Sequence, residues 1–198
     1  VLSVKPQFYP SVIEQIAPAI EDQVVITIAP GQTLARMEAA FGKGVKVVRA
    51  MPNTPAAVGA GMSALCPNEG VRAEEMAQVM AFFRCFGRAE QVPERLMDVV
   101  VGVAGSSPAY ACLFVEALAD AAVAEGMPRD MAMTFAEQAL YGSAKQLLET
   151  GIHPAAMKDM VSSPGGTTIE AVGVLEEKGF RAAVFAASRA AVTTARER

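Results

Sequence analysis

The segment Val161-Ser162-Ser163-Pro164-Gly165-Gly166-Thr167-Thr168-Ile169-Glu170 concentrates residue types that hold small anions. Two glycines let backbone amides approach a ligand closely. Two threonines then open a helix, whose unpaired N–H groups and dipole favour a carboxylate. Ordinary capping is the other reading, with a threonine N-cap and Glu170 near the third helical position as a capping box. A cap seldom needs two glycines and two preceding serines. A second segment, Gly105-Ser106-Ser107-Pro108-Ala109-Tyr110, offers two hydroxyls among small residues. It reads as a ligand-facing turn or as an N-cap ahead of a proline in a first helical turn. A third set sits where apolar runs end: Val4-Lys5-Pro6, Ile28-Ala29-Pro30-Gly31 and Met51-Pro52-Asn53-Thr54-Pro55. The carboxyl ends of parallel strands line the ligand crevice of an α/β sheet. Plain turns would use the same residues.

The rest of the inventory narrows the chemistry. His153 is the only histidine, so a His-rich metal site is excluded, although carboxylate sites stay open. A nucleophilic triad would have to use it, which disfavours serine-hydrolase chemistry. Cys66, Cys85 and Cys112 lie 19 and 27 residues apart, no metal or redox spacing. Their odd number fits buried, unpaired thiols in a reducing compartment. The 17 basic and 21 acidic residues give a net charge of −4, against a nucleic-acid binder but not against holding one small anion. With 52% apolar residues the chain can build a substantial core, which rules out disorder as its main state. Residues 99–115 are nearly uncharged, but Gly102, Gly105 and Pro108 interrupt them and Glu116 and Asp120 follow. That reads as a broken core segment rather than a membrane span. Lys5 and Pro6 interrupt the start, so no signal peptide is expected.

Certain elements must position these residues. Residues 24–28 and 45–51 are short, β-rich apolar runs, and residues 10–20, 34–41 and 73–86 have helical spacing. Apolar runs without strict alternation suit a parallel sheet covered on both faces. From Pro93 no strand signal remains. Helices are expected over 93–103, 108–125, 128–149, 154–161, 167–178 and 180–198. Prolines stand near four of the starts, and Gly126, Gly151 and Gly179 stand at ends. The change of pattern puts a domain boundary near residue 92, with an α/β part over 1–92 and an all-helical part over 93–198. Residues 108–125 are apolar nearly all round, so a partner chain is expected to cover them. No Gly-x-Gly-x-x-Gly occurs, and Val1-Leu2-Ser3-Val4-Lys5-Pro6 looks like the end of a later strand. Either the chain binds no dinucleotide, or the first half of such a domain is absent from it.

Arg49-Ala50-Met51-Pro52-Asn53-Thr54-Pro55, Gly105-Ser106-Ser107-Pro108-Ala109-Tyr110 and Ser163-Pro164-Gly165-Gly166-Thr167-Thr168-Ile169-Glu170-Ala171 together resemble the pyrroline-5-carboxylate reductases. Glu116-Ala117-Leu118-Ala119-Asp120-Ala121 and Leu175-Glu176-Glu177-Lys178-Gly179-Phe180-Arg181 extend the resemblance, which runs from about Ser3 to about Arg189. It implies an oxidoreductase of proline biosynthesis that reduces the C=N bond of L-1-pyrroline-5-carboxylate with NADPH or NADH. It also implies a Rossmann-type sheet domain followed by an all-helical dimerisation domain of the 6-phosphogluconate dehydrogenase C-terminal type. The assembly implied is a cytoplasmic homodimer, often built into a homodecamer, with no nucleic-acid or membrane partner.

By the same resemblance, Ser3, Val4, Lys5 and Pro6 form one cofactor loop, and Ile28, Ala29 and Pro30 a second, where Pro30 replaces the usual alanine. Asn53 joins the cofactor set. So does Met160, where some members carry asparagine and where methionine can only pack. Glu94, Ser163, Gly165, Gly166, Thr167 and Thr168 form the substrate set. The amides of Gly166, Thr167 and Thr168 hold the carboxylate, and Thr168 is the catalytic hydrogen-bond partner of the ring nitrogen. Ala104 stands where serine is common. Hydride attack on an imine needs neither a metal nor a covalent nucleophile, which matches the lack of a His or Cys set. Two alternatives are weighed against this. A β-hydroxyacid dehydrogenase-type reductase would place a catalytic lysine on the long helix after the boundary, and residues 108–125 contain none. A helical dimerisation or interaction module without catalysis is supported only by the missing glycine fingerprint.

Overall fold

Val24–Thr27 forms strand β1 and Lys46–Met51 forms β2, both from the apolar runs expected to be strands. Successive side chains of a strand point to opposite faces. Val25 and Val47 therefore face one side, and Ile26, Val48 and Ala50 the other. The computed structural model describes residues 1–42 and 44–197. Helices α1 (Tyr9–Ile16) and α2 (Leu34–Phe41) cover the first face through Tyr9, Ile13 and Met37. Helix α3 (Ala73–Arg84) covers the second through Met76, Val79 and Phe83. The sheet is thus buried on both faces, as its unbroken apolar runs require.

Two further strands, β3 (Gly61–Pro67) and β4 (Gly87–Gln91), complete the order β1-β2-β3-β4. Neither was expected from the sequence, because Gly-Met-Ser-Ala-Leu-Cys-Pro and Gly-Arg-Ala-Glu-Gln contain no β-branched residue. They also correct the expectation of a wholly parallel sheet. β1 and β2 are parallel, and so are β3 and β4, but β2 and β3 run antiparallel. The link between β2 and β3 holds only a short 3₁₀ turn, Thr54–Val58. A parallel return needs a crossover of a dozen or more residues, so the chain reverses instead.

Past β4 the chain is helical. A 3₁₀ turn (Glu94–Leu96) leads into α4 (Met97–Val100) and a π-helical turn (Val101–Gly105). Then follow α5 (Ser107–Ala124), α6 (Arg129–Thr150), α7 (Pro154–Met160), α8 (Thr167–Glu177) and α9 (Phe180–Arg196). Residue 198, the expected end of the last helix, lies outside the described residues. Pro128 caps α6 and Pro154 opens α7, while Gly126, Gly151 and Gly179 end helices at positive φ. His153 serves its own neighbourhood, where its Nδ1 accepts the amide of Ala155 and caps α7.

The chain divides into two compact units. One is Val1–Pro108 with the stretch from Ala187 onward, and the other is Ala109–Ala186. The second has a small core of Val115, Ala119, Ala132 and Ala136 between α5 and α6. Helix α5 buries only Val115 and Ala119, and Leu113 is 68% exposed. An apolar helix this open calls for further cover.

Candidate functional site

In the first unit, Leu2 bridges Thr27 in parallel, and Thr27 pairs with Arg49 on β2. Three parallel segments therefore end side by side. Ser3-Val4-Lys5-Pro6 leaves the first, Ile28-Ala29-Pro30 the second, and Met51-Pro52-Asn53 the third. The structure brings these strand-end loops to one edge, where the ligands of α/β sheets bind. Ser3, Val4 and Lys5 are exposed, while Ala29 is buried. Ala29, Pro30 and Gly31 border a cleft with Met51, Asp98 and Val101.

Asn53 is committed within the protein. Its Oδ1 accepts the amide of Met62 at 2.8 Å, and its Nδ2 donates to the carbonyl of Ala104 at 3.0 Å. Ala104 lies in the π-helical turn, a backbone form that recurs at functional sites. Small residues permit this turn. A Cβ on Gly105 would stand 2.9 Å from the Met51 methyl, and one on Gly102 2.6 Å from the Ser188 carbonyl.

Glu94 sits in the turn after β4, where its Oε1 accepts the amide of Leu34 at 2.8 Å, at the start of α2. The same oxygen lies 3.4 Å from Arg49 Nη1, and Arg49 Nη2 donates to Asp98 Oδ1 at 2.8 Å. In the sequence Arg49 is only the head of a motif, and Asp98 belongs to none. The available signal was a charged residue inside Val47-Val48-Arg49-Ala50-Met51, since a buried cation requires partners. Cys66 pairs with Arg49 across β2 and β3. Burial pushes its thiol above the ordinary range, Glu94 adds to that, and Arg49 opposes it.

The remaining candidates lie in the second unit. Gly165 adopts φ +66°, and Gly166 is the N-cap of α8 with no side chain capping it. Thr168 therefore occupies the second helical position and Glu170 the fourth, so the capping box does not form. The amide of Gly166 donates to the Ser163 carbonyl at 3.0 Å. This corrects the expectation that it holds a ligand. The first amides within the helix, those of Thr167, Thr168 and Ile169, have no acceptor inside it. A Cβ on Gly166 would stand 2.3 Å from Ser163 Oγ and 3.1 Å from the Ser163 carbonyl oxygen, so a side chain there would have to turn the Ser163 hydroxyl away. Thr167 is exposed and Thr168 half-buried. Ser162 anchors the preceding loop by donating to the Lys158 carbonyl at 2.7 Å. Met160, at the end of α7, is 71% exposed.

A sheet domain with loops gathered at its parallel strand ends, followed by a helical region in which glycines open a helix start, is the plan of a Rossmann-type oxidoreductase. A family model described as pyrroline-5-carboxylate reductase dimerisation matches residues 94–198. The chain belongs to the pyrroline-5-carboxylate reductase family. It is 56% identical over 186 residues to the Escherichia coli pyrroline-5-carboxylate reductase, covering 93% of this chain and 69% of that one. The Synechocystis enzyme is 46% identical over 99% of this chain and 73% of its own length. Among solved structures, a Coxiella burnetii pyrroline-5-carboxylate reductase aligns with a TM-score of 0.94 at 35% identity, over 98% of this chain and 73% of that one. A Plasmodium falciparum pyrroline carboxylate reductase with NADP bound aligns with a TM-score of 0.90 at 32% identity, over 98% and 78%.

Proposed function

We propose that the chain performs the reaction its family is named for, reduction of L-1-pyrroline-5-carboxylate to L-proline, the last step of proline biosynthesis. The start of α8 carries this reading: Gly165 and Gly166 clear the approach, and three helix amides face outward with the positive end of the dipole. In this reading the amides of Thr167 and Thr168 hold the substrate carboxylate, with Ser163 and the small surface of Gly165 and Gly166 around it. The Thr168 hydroxyl hydrogen-bonds the ring nitrogen, which draws electrons from C5. The family resemblance also assigns Glu94 to the substrate.

The strand-end loops suit a nicotinamide coenzyme, NADPH or NADH, because small or backbone-rich residues line them. When bound, the coenzyme supplies the hydride. Ser3, Val4, Lys5 and Pro6 hold it together with Ile28, Ala29 and Pro30. Asn53 shapes its loop through bonds already made within the protein. The NADP in the Plasmodium relative supports the nicotinamide class. We assign coenzyme binding to residues 1–92, and dimerisation and substrate binding to residues 93–198. The start of the matched family model at residue 94 supports that division.

A homo-oligomer follows from the family, and we infer a homodimer as its unit, with a homodecamer as the larger form. Exposed Leu113 and Leu118 on α5, Phe135 on α6 and Phe185 on α9 support a covered face in the second unit. Glu94–Ala124 is long and apolar enough to cross a membrane. We assign its apolar surface to subunit contact, with no membrane or nucleic-acid partner. The free thiols of Cys66, Cys85 and Cys112 support a cytoplasmic location. The test is oxidation of NADPH and of NADH by the full-length protein with pyrroline-5-carboxylate, with proline measured as product. Turnover with one or both coenzymes is expected. No pyrroline-dependent oxidation with either would overturn the reading.

A further inference from the structure

We propose that Arg49 is a positioning residue for this reaction: by gripping Glu94 and Asp98 together, it fixes the orientation in which Glu94 meets the substrate. The inference rests on the reading that Glu94 contacts substrate. Its own support is geometric. The Arg49 side chain is 8% exposed, whereas those of Glu94 and Asp98 are 35% and 28% exposed. The guanidinium therefore lies beneath, and the two carboxylates rise from it toward the surface. One carboxylate would balance the charge of a buried arginine. Two of them, met by separate nitrogens of one planar fork, fix the angle between their side chains.

Glu94 is constrained from a second side. Its Oε1 accepts both from Arg49 and from the amide of Leu34, so Oε2 carries neither bond. This arrangement spends one oxygen on position and keeps the other for a ligand. The Leu34 amide opens the helix that follows the Ile28-Ala29-Pro30 loop, so the same oxygen ties Glu94 to the element beside a coenzyme loop. Lysine at position 49 would keep the charge and lose the fork. A compact ammonium would stay with Asp98, the nearer partner, and release Glu94.

The experiment is steady-state kinetics on the full-length enzyme with its coenzyme and pyrroline-5-carboxylate, on Arg49→Lys, Glu94→Gln and the double variant. Arg49→Lys is expected to raise KM for the pyrroline about 10-fold while KM for the coenzyme stays unchanged. Glu94→Gln is expected to do the same, and the double variant to be no worse than the worse single one. Multiplying effects, or an unchanged KM in Arg49→Lys while Glu94→Gln is impaired, would overturn the proposal and leave the role of Glu94 standing. An unchanged KM in Glu94→Gln would overturn the underlying reading as well. If Arg49→Lys does not fold, Asp98→Asn loosens the other side of the same fork. It must then raise KM for the pyrroline in a protein of native melting profile, and an unchanged KM would sink the proposal.

Discussion

The side-chain amide of Asn53 holds the carbonyl of Ala104 at 3.0 Å, joining the end of β2 to the π-helical turn 51 residues later. Its other end holds the amide of Met62 as the chain enters β3. One side chain thus sets both the reversal of the sheet and the position of the turn before α5. Asn53→Ala leaves a donor and an acceptor unpaired, at a cost of about 1–3 kcal/mol. The expected result is a lower melting temperature, with weaker coenzyme binding because the loop it braces relaxes. Unchanged thermal melting would show that water replaces both bonds.

Thr168 is expected to be the most costly polar residue of the α8 start to remove. Thr168→Val keeps the shape and loses the hydroxyl. In the proposed role its bond to the ring nitrogen would strengthen as the imine becomes an amine, so it would act on the transition state more than on the ground state. Losing one hydrogen bond to a charged group costs roughly 1.5–3 kcal/mol, or about 10- to 150-fold in turnover. Thr167→Ala should cost much less, since the proposed role of the exposed Thr167 uses only its backbone amide. Steady-state kinetics on both, with circular dichroism as the folding check, decides. The roles are wrong if Thr167→Ala is the worse variant.

Gly87 and Gly61 face each other in the β3–β4 register. Gly87 has φ +146°, and a Cβ there would stand 2.0 Å from the Gly61 carbonyl oxygen. The atoms it would meet are all Gly61 backbone, so nothing can rotate away. Gly87→Ala should therefore cost on the order of 3 kcal/mol or more through strain and overlap. Loss of soluble protein or a large drop in urea midpoint is expected, and near-native stability would refute the strand pairing.

Lys46 binds Asp22 and, at 2.7 Å, Glu75, joining β2 to the start of α3. Its hydrogen bond to each is the leading reason that Asp22 lies below 3.8 and Glu75 below 4.5. Groups lowered on folding stabilise the protein above their unfolded values, and that contribution disappears as pH falls through the folded ones. The wild type should thus lose more stability than Lys46→Met between about pH 5 and pH 3. Urea melts across that window check this, and parallel losses would show that the network contributes nothing.

Local periodicity sufficed for much of this molecule. The spacing of Val12, Ile13 and Ile16, the apolar runs at 24–28 and 45–51, and the prolines and glycines around the later helices each fix an element from neighbours a few residues away. The Gly165-Gly166-Thr167-Thr168 segment announced a helix start for the same reason, since its glycines and hydroxyls act on adjacent amides. What the sequence could not supply were relations between distant residues. The antiparallel turn from β2 to β3 follows from a link too short for a crossover, and β3 and β4 hold together by pairing rather than propensity. The amide of Gly166 went to Ser163 because the turn closed on itself. The grip of Arg49 on Glu94 and Asp98 exists only because the 3₁₀ turn and α4 come to rest beside β2. Sequence sets which residues can form a helix, a strand or an anion site over a few positions. Packing decides which charges meet across 45 or 49 residues, because a buried cation takes whatever partners the closed fold brings within reach.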